Sequence, residues 1–498
     1  MLTEEQLKAI EQEGNVLVLA SAGTGKTAVL VNKLIRDIER NKTYKSIAAM
    51  TFTIKATAEI RNRLGNLSYN QYIGTLNTFA VEEIIKPFFK DLYDINKEIE
   101  IDVKYDDSIM TANEGVKKIQ ETGIIGTYED IRKNFIFQLA LHIVKKSKAC
   151  RLYLQAKYFK LYIDEYQDCD RDTHIFFMYL CYQLKIQLFI VGDPKQSIYI
   201  WRGADTKILK ELEENPLFIK LRLFKNFRAH ESLEAFSFIF DSKYQKSING
   251  ISSEKRIYFF FASQSNWPRK IKSYISEDNS VVLRRMRETA KNNVQDLESI
   301  SKSFFYIEEP TIYQIYSSAK YLLLELAKFL IIPSYSTFEV IDNYIDFNIL
   351  TKSQLTEIEI RLRNLRELYN EGLDIRNIVE DIGVLLKINI ADEDFNKFKN
   401  SLSDLYFQDS LIGQEKSFTT RTIHSSKGLE FNQVIVFVQD FNNFYNDDNK
   451  NLFYVAITRA KDSIIIIDCT GNFNCLNKLK SLCRQRNVEL ESFVSIKY

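Results

Sequence analysis

The chain has 498 residues, which is too long for one hydrophobic core, so we expect several domains. Hydrophobic residues make up 45% of it and charged residues 27%, as in ordinary globular proteins, and the net charge of +1 excludes a uniformly basic surface for nucleic acid. Because the six cysteines lack a C-x-x-C pair, the first residues are polar and no apolar run approaches the roughly 20 residues that span a bilayer, we expect a cytoplasmic protein without a membrane partner.

The first predicted elements are a strand, a glycine loop and a helix. Residues 16–20 are apolar, as in a buried parallel strand, and residues 28–38 have helical spacing. The candidates for nucleotide binding between them are Ala20, Ser21, Ala22, Gly23, Thr24, Gly25, Lys26 and Thr27. In a P-loop of this kind, backbone N–H groups surround the phosphates, the lysine reaches the β- and γ-phosphates and the threonine holds Mg²⁺. Ala20 replaces the usual first glycine, and a tight turn without nucleotide is the alternative.

Other polar or aromatic residues adjoin predicted elements on either side of this loop. Gln6 lies on a predicted amphipathic helix over residues 2–13, where it could pair with an adenine or be a solvated surface residue. Phe52 ends a predicted strand over residues 46–53 and is either core or a stacking surface for a base. Thr75 and Asn77 lie where another strand turns into a helix, and such small polar side chains suit phosphate contacts.

Two adjacent carboxylates follow the predicted strand at residues 158–163. Asp164 and Glu165 at the end of a buried strand are costly unless a cation meets them. We therefore predict that Asp164, together with Thr27, holds Mg²⁺ and that Glu165 polarises the attacking water. An acidic loop without catalytic function is the alternative.

The next predicted strand, at residues 187–192, leads into a loop rich in aromatic residues. Gln196 could contact a γ-phosphate and the attacking water at once. Tyr199, Trp201 and Arg202 offer ring and guanidinium faces on which bases could stack, although Trp201 could also be a core anchor.

Four of these stretches, AGTGKT, TFT-x-K-A-x-x-E, IDEYQD and GDPKQSIYIWRG, resemble the motifs of superfamily 1A helicases of the UvrD, Rep and PcrA type. The resemblance implies an ATP-dependent DNA helicase or translocase that moves 3′ to 5′ on single-stranded DNA. It also assigns Gln6 to the Q motif of that family. A P-loop NTPase that acts on a protein or metabolite is a less favoured alternative.

The resemblance extends through the second half of the chain, notably to the stretch TRTIHSSKGLEF. It implies that ATP and Mg²⁺ bind between two lobes, with Lys26, Thr27 and Asp164 on the first lobe. On the second lobe it implies the following roles: Arg285 on the γ-phosphate, Arg284 in place of a base-stacking tyrosine, Glu430 on the ribose, His424 and Ser426 on the DNA strand, and Arg459 as the arginine finger.

The fold class implied is α/β, with two RecA-like P-loop lobes, each a parallel sheet flanked by helices, and two mostly helical insertions. The expected boundaries are 1–86 and 151–235 for lobe 1A, 87–150 for insertion 1B, 236–335 and 414–498 for lobe 2A, and 336–413 for a reduced insertion 2B.

Two passages, residues 158–170 and 183–204, are similar to the UvrD-like helicase subunits of Gabija anti-phage systems. This narrower resemblance implies a hetero-oligomer with an OLD-type endonuclease that acts on single-stranded DNA or DNA ends. Because insertion 2B is short, a second function stays open: a nucleotide-hydrolysing DNA-end sensor that regulates a nuclease with little or no unwinding.

Overall fold

The computed structural model describes residues 2–498 apart from residues 53, 97–98, 241–253, 301, 303, 308–310, 316, 318, 334, 338–339, 341–351, 387, 405–407, 409–417 and 445. Its strands are β1 Val16–Ala20, β2 Ser46–Thr51, β3 Tyr72–Thr75, β4 Asp102–Ile109, β5 Ile124–Tyr128, β6 Tyr158–Ile163, β7 Gln187–Gly192, β8 Ile219–Leu223, β9 Ile257–Phe261, β10 Ser280–Arg284, β11 Phe305–Tyr306, β12 Phe418–Thr422, β13 Phe431–Phe437, β14 Ala460–Asp468 and β15 Val494–Lys497.

The helices connect and cover these strands, as parallel sheets require. The α-helices are Glu4–Glu11, Lys26–Arg40, Ile54–Leu64, Leu76–Ala80, Lys86–Phe88, Ala112–Thr122, Phe135–Lys146, Lys148–Lys157, Arg171–Leu184, Ile208–Glu214, Glu231–Phe238, Trp267–Ile271, Arg287–Glu298, Ala319–Ile331, Lys352–Asn370, Arg376–Leu385, Asp392–Ser403, Asp447–Ile457 and Asn474–Arg484. Among the described residues, none of these helices combines the length and the apolar character that a membrane span needs.

The first lobe is a six-stranded parallel sheet in the order β3-β2-β6-β7-β1-β8. All five residues of β1 are buried, which is why the strand reads as an uninterrupted apolar run. The strands predicted at residues 16–20, 158–163 and 187–192 are confirmed at both ends. Because β1, β6 and β7 are neighbours and run in the same direction, the loops that follow them meet at one edge of the sheet.

The second lobe is a seven-stranded parallel sheet in the order β11-β12-β10-β13-β14-β9-β15. Its strands come from residues 257–306 and 418–497, on either side of a helical insertion. The side chains of β13 and β14 that face the helices are fully buried, for example Val436 and Ile466. The predicted α/β fold class with two lobes of parallel sheet is confirmed.

The first insertion contains two strands that the sequence analysis missed. β4 and β5 form a small parallel sheet beside the helices Ala112–Thr122 and Phe135–Lys146. β4 carries aspartate at residues 102, 106 and 107, and because aspartate is depleted in strands the segment has no clear strand pattern. The apolar residues of this insertion belong to the same core cluster as those of the first lobe, so the two pack as one body.

The second insertion has a hydrophobic core of its own. Ile358, Leu362 and Leu365, which recur at helical spacing, are all buried in it. The helix Ala319–Ile331 packs into this core, although we expected it to continue the second lobe up to residue 335. The expected boundary is therefore too late, because this helix is buried on most of its faces and needs the insertion helices as partners.

Replacement of Leu362 by alanine tests this separate core. The side chain is fully buried, so we expect Leu362→Ala to lower the free energy of unfolding by about 2–5 kcal/mol, through lost burial and the cavity left behind. Urea unfolding followed by circular dichroism measures the change. Leu373, which is 54% exposed, gives the matched control Leu373→Ala, with an expected effect within about 0.5 kcal/mol. Equal effects of the two substitutions would contradict the core assignment.

Candidate nucleotide site and nucleic-acid platform

The loop after β1 has the geometry of a phosphate-binding loop. Gly23 and Gly25 adopt φ angles of +75° and +80°, which favour glycine. A Cβ atom on Gly25 would lie 2.8 Å from the Gln6 amide nitrogen, so a larger residue does not fit there. Lys26 opens the following helix, and its ammonium donates a hydrogen bond to the Ala20 carbonyl at 3.4 Å. The loop therefore offers a side-chain-free cradle and a lysine, which fit a nucleotide's phosphates.

Gln6 is part of this cradle rather than a solvated surface residue. Its side chain is 4% exposed, and its amide donates to the Thr24 carbonyl at 3.0 Å. The amide oxygen accepts from the Thr3 backbone N–H at 3.0 Å, which completes a capping box at the start of the first helix. Gln6 thus stabilises the loop through its hydrogen bond to Thr24, and its contact with an adenine stays a prediction.

Asp164 and Glu165 lie at the carboxyl end of β6, facing the same cleft. Asp164 is 4% exposed, and burial together with the neighbouring Glu165 raises its pKa to about 7. Burial also acts to raise the pKa of Glu165, but Lys26 and Lys427 outweigh it, so that this pKa is lowered. Lys26 lies close to both carboxylates, and Thr27 follows it on the same helix. These carboxylates are oxygen donors that fit a Mg²⁺ ion, which is commonly held by one or two carboxylates and substrate phosphates.

The backbone at Glu165 is itself unusual. Its φ of +52° places a non-glycine residue in the left-handed region, where strain is common at functional positions. Its N–H donates to the Asp164 carboxylate at 2.9 Å, and its own carboxylate accepts a hydrogen bond from the Gln167 amide. Glu165 is therefore aimed by its neighbours instead of projecting freely into solvent.

Gln196 and Arg459 meet across the two lobes. Gln196 follows β7, and its amide nitrogen donates to Asp193 at 2.8 Å while its amide oxygen accepts from the Arg459 guanidinium at 3.2 Å. Arg459 is 2% exposed, and burial lowers its pKa to about 10. Arg459 and Lys26 both act to lower the pKa of Glu165, so the structure brings all three groups to one cleft.

Residues 226–228 also line this cleft, although the sequence analysis gave them no role. The Asn226 amide donates to the Ala22 carbonyl at 3.1 Å, and the Phe227 N–H donates to the Gly23 carbonyl at 2.9 Å. The Phe227 ring is 51% exposed beside the loop. Arg228 pairs with Glu430 at 2.6 Å, and it also donates to the Thr458 carbonyl at 3.3 Å. The only signal in the sequence is the position of the segment shortly after β8.

The two arginines predicted at the end of β10 lie elsewhere. Arg284 is 6% exposed; it donates to Asp440 at 2.7 Å and packs 4.1 Å from the Phe437 ring centroid. The prediction that it replaces a base-stacking residue is wrong, because its guanidinium is buried inside the second lobe. Arg285 donates to Asn449 at 3.0 Å and not to the phosphate-binding loop. Arg228 is therefore a second candidate to face a phosphate, and the contact of Arg285 with the γ-phosphate stays a prediction.

Glu430 and Ser426 also differ in part from their predicted roles. Glu430 is engaged by Arg228 and, at 3.2 Å, by Lys461, so its contact with a ribose stays a prediction. The Ser426 hydroxyl is fully buried and donates to the Ile423 carbonyl at 2.7 Å. Its side chain cannot face a DNA strand, because it closes the short turn that carries it.

An aromatic cluster, formed by Tyr199, Trp201, Arg202 and His424, bridges the lobes beside this cleft. Trp201 is 54% exposed, which excludes a core anchor, and its indole N–H donates to the His424 ring at 3.3 Å. The Arg202 guanidinium lies 4.6 Å from the Trp201 ring centroid and 5.3 Å from that of Tyr199. Burial, with Arg202 nearby, lowers the pKa of His424.

The other predicted DNA contacts lie at the same edge of the first lobe, after β2 and β3. Phe52 is 36% exposed at the end of β2. Thr75 caps the helix Leu76–Ala80, where its hydroxyl accepts from the Thr78 N–H at 3.3 Å, and Asn77 is half-buried on that helix. Phe52 can therefore offer a ring to a base, whereas the Thr75 hydroxyl is already used in the cap.

Comparisons with known proteins agree with this arrangement. A family model described as the UvrD/REP helicase N-terminal domain matches residues 2–138 and 133–216, and one described as the UvrD-like helicase C-terminal domain matches residues 418–467. The chain is 36% identical over 477 residues to "Gabija protein GajB" of Bacillus cereus (strain VD045), covering 94% of this chain and 95% of that relative.

More distant relatives are larger helicases. In an alignment of 613 positions, the chain is 21% identical to "ATP-dependent DNA helicase PcrA" of Staphylococcus epidermidis, covering 94% of this chain and 83% of that protein. In an alignment of 643 positions, it is 22% identical to "ATP-dependent DNA helicase Rep" of Buchnera aphidicola, covering 96% of this chain and 94% of that protein.

A pair of substitutions distinguishes the two candidate phosphate-facing arginines. We expect Arg228→Ala to lower the kcat of ATP hydrolysis by about 10²-fold or more, because it removes the cation that pairs with Glu430 close to Arg459. Arg285→Ala, the matched control, should change kcat by less than about threefold, because its bonds are made to Asn449 and the Asp440 backbone. Steady-state hydrolysis by the two variants measures this, and the opposite ranking would restore the role predicted for Arg285.

Proposed function

This chain belongs to the UvrD/REP helicase family, and we propose that within this family it is a translocase that moves 3′ to 5′ on single-stranded DNA in the cytoplasm. The enzyme is an ATP-dependent DNA helicase. The observation that carries the proposal is the convergence of Lys26, Glu165 and Arg459 on one cleft between the lobes, with the Trp201–His424 bond crossing between the same two lobes.

Hydrolysis would use groups from both lobes. Lys26 and the loop N–H groups bind the phosphates, and Thr27 with Asp164 would hold Mg²⁺, which offsets charge on the phosphates when bound. Glu165 is positioned by Gln167 to take a proton from the attacking water. Arg459 lies on the second lobe, so its contact with the developing charge depends on lobe closure, and this dependence couples hydrolysis to movement.

The grip on DNA would rest on stacking more than on charge. Phe52, Tyr199 and Trp201 can each hold a base by its face, which contributes roughly 1–3 kcal/mol per base and reads no sequence. The net charge of +1 excludes a uniformly basic surface, so phosphate contacts would come from a local groove.

The identity to the Bacillus cereus Gabija protein, over nearly the whole of both chains, supports a role in anti-phage defence. We propose that the chain works in a hetero-oligomer with an OLD-type endonuclease on single-stranded DNA or DNA ends. The small second insertion favours a second candidate, a nucleotide-hydrolysing DNA-end sensor that regulates this nuclease with little unwinding.

A forked-duplex assay distinguishes the two candidates. The purified chain is incubated with ATP and a fork that carries a 3′ single-stranded tail, with and without the co-purified nuclease. Strand separation by the chain alone supports the translocating helicase. Hydrolysis that DNA stimulates without strand separation, in both mixtures, supports the sensor.

The role of Glu165 has its own test. Glu165→Gln keeps the shape of the side chain but removes its capacity to accept a proton, so hydrolysis should be abolished while a fluorescent ATP analogue still binds. Lys26→Ala should lose hydrolysis as well, and with it much of the binding affinity, because the lysine contacts the phosphates directly. Normal hydrolysis by Glu165→Gln would remove the base assignment.

Stacking is tested by Trp201→Ala. We expect affinity for oligo(dT) and for a mixed-sequence strand to fall equally, by roughly 5- to 150-fold, the equivalent of 1–3 kcal/mol. Fluorescence anisotropy of labelled strands measures both affinities. Phe473, an aromatic residue 52% exposed on the second lobe, provides the control Phe473→Ala with no expected change. A loss confined to one sequence would argue against stacking.

A further inference from the structure

We propose that Lys427 is a positioning residue that links the DNA-facing aromatic cluster to the catalytic carboxylates through Asp168 and Gln196. The inference rests on the proposed function, because the role of Lys427 is to let DNA bound at the aromatic cluster change the rate of hydrolysis in the cleft. It adds a role for a second-lobe residue that the sequence motifs left without one.

Lys427 lies on the second lobe but its ammonium is inserted into the first. It follows the short turn His424–Ser426, and its side chain is 10% exposed. The ammonium pairs with the Asp168 carboxylate and donates to the Gln196 carbonyl at 3.1 Å. It also lies 4.8 Å from the Tyr199 ring centroid. One cation therefore contacts the segments that follow β6 and β7, as well as the aromatic cluster.

The electrostatics explain why this pair is sensitive to lobe position. Burial acts to lower the pKa of Lys427, but Asp168 and Glu165 outweigh it and the pKa is raised. The second carboxylate oxygen of Asp168 is buried and, within the part of the chain that the structure describes, makes no hydrogen bond. Asp168 thus depends on Lys427 for its charge balance, and separating a buried pair by moving one partner away is strongly unfavourable.

Lys427 is also connected directly to the aromatic cluster. The Lys427 backbone N–H donates to the His424 carbonyl at 3.2 Å, and the His424 ring accepts the Trp201 indole N–H at 3.3 Å. DNA that stacks on the Trp201 ring competes with the Trp201–His424 bond. It thereby acts on the turn His424–Ser426, which precedes Lys427. At the other end, Gln196 touches Lys427 through its carbonyl and Arg459 through its side chain.

The first experiment compares hydrolysis with and without oligo(dT). The readout is the ratio of the two kcat values, so that a uniform loss of activity does not count. We expect Lys427→Met and Asp168→Asn to lower this ratio by about tenfold, within the usual range of coupling between sites, with the KM for ATP little changed. Lys427→Arg keeps the charge and should recover most of the ratio. Lys450→Met, which breaks a surface ion pair on the same lobe, is the matched control.

The second experiment uses the fact that the chain has two tryptophans, of which Trp267 is 1% exposed and Trp201 is 54% exposed. The part of the emission that Trp201→Phe removes reports on the platform. We expect a non-hydrolysable ATP analogue to change this emission in the unmodified protein. In Lys427→Met the emission should no longer respond, although a fluorescent nucleotide still binds.

The outcomes distinguish a failure of the proposed function from a failure of the link through Lys427. If oligo(dT) does not stimulate the unmodified enzyme, the proposed function fails, whereas the emission response still tests the link. The inference is overturned if Lys427→Met and Asp168→Asn leave the ratio and the emission response intact. It is also overturned if Lys427→Arg behaves as Lys427→Met. Should Lys427→Met not fold, Asp168→Asn and Lys427→Arg give the same comparison.

Discussion

The arrangement of the whole molecule depends on two carboxylates that a parallel sheet carries to its edge and buries there. Asp164 and Glu165 cannot both remain charged in this position unless cations approach them. Lys26 comes from the same lobe, whereas Lys427 and Arg459 come from the other. The charge balance of the site is therefore complete only when the lobes are together, which makes the cleft a place where a ligand and a lobe movement affect each other.

Many of the contacts between the lobes in the described part of the chain are polar, although Ile198, which follows β7, is buried in the core cluster of the second lobe. Tyr454 on the second lobe accepts a hydrogen bond from the Ala22 N–H of the phosphate-binding loop at 3.2 Å, and Asn451 donates to the Ser197 carbonyl at 3.1 Å. Polar contacts of this kind can be exchanged for contacts to a ligand at little cost, unlike a buried apolar interface. The separate hydrophobic cores of the two sheets let each lobe keep its shape during such an exchange.

Local patterns predicted the strands that carry the motifs, because these strands are uninterrupted apolar runs ending in chemically distinctive loops. The two-lobe fold was implied by the resemblance to superfamily 1A helicases. The failures share one cause: they depend on partners distant in sequence. Arg284 ends β10 with its side chain directed to Asp440, 156 residues away, which no local pattern reveals. Arg228 could not be identified because its partners, Glu430 and Thr458, belong to the other lobe. The aspartates of β4 hid a strand that pairing with β5 nevertheless stabilises.

The central claim is that one nucleotide is held by both lobes at once. A crystal structure of the chain with Mg²⁺ and a transition-state mimic of ATP tests it most directly. The account predicts that Lys26 of the first lobe and Arg459 of the second both contact the terminal phosphate group, with the Arg459–Gln196 bond rearranged to allow it. A complex in which every phosphate contact comes from the first lobe, with Arg459 still directed at Gln196 and Val455, would contradict it.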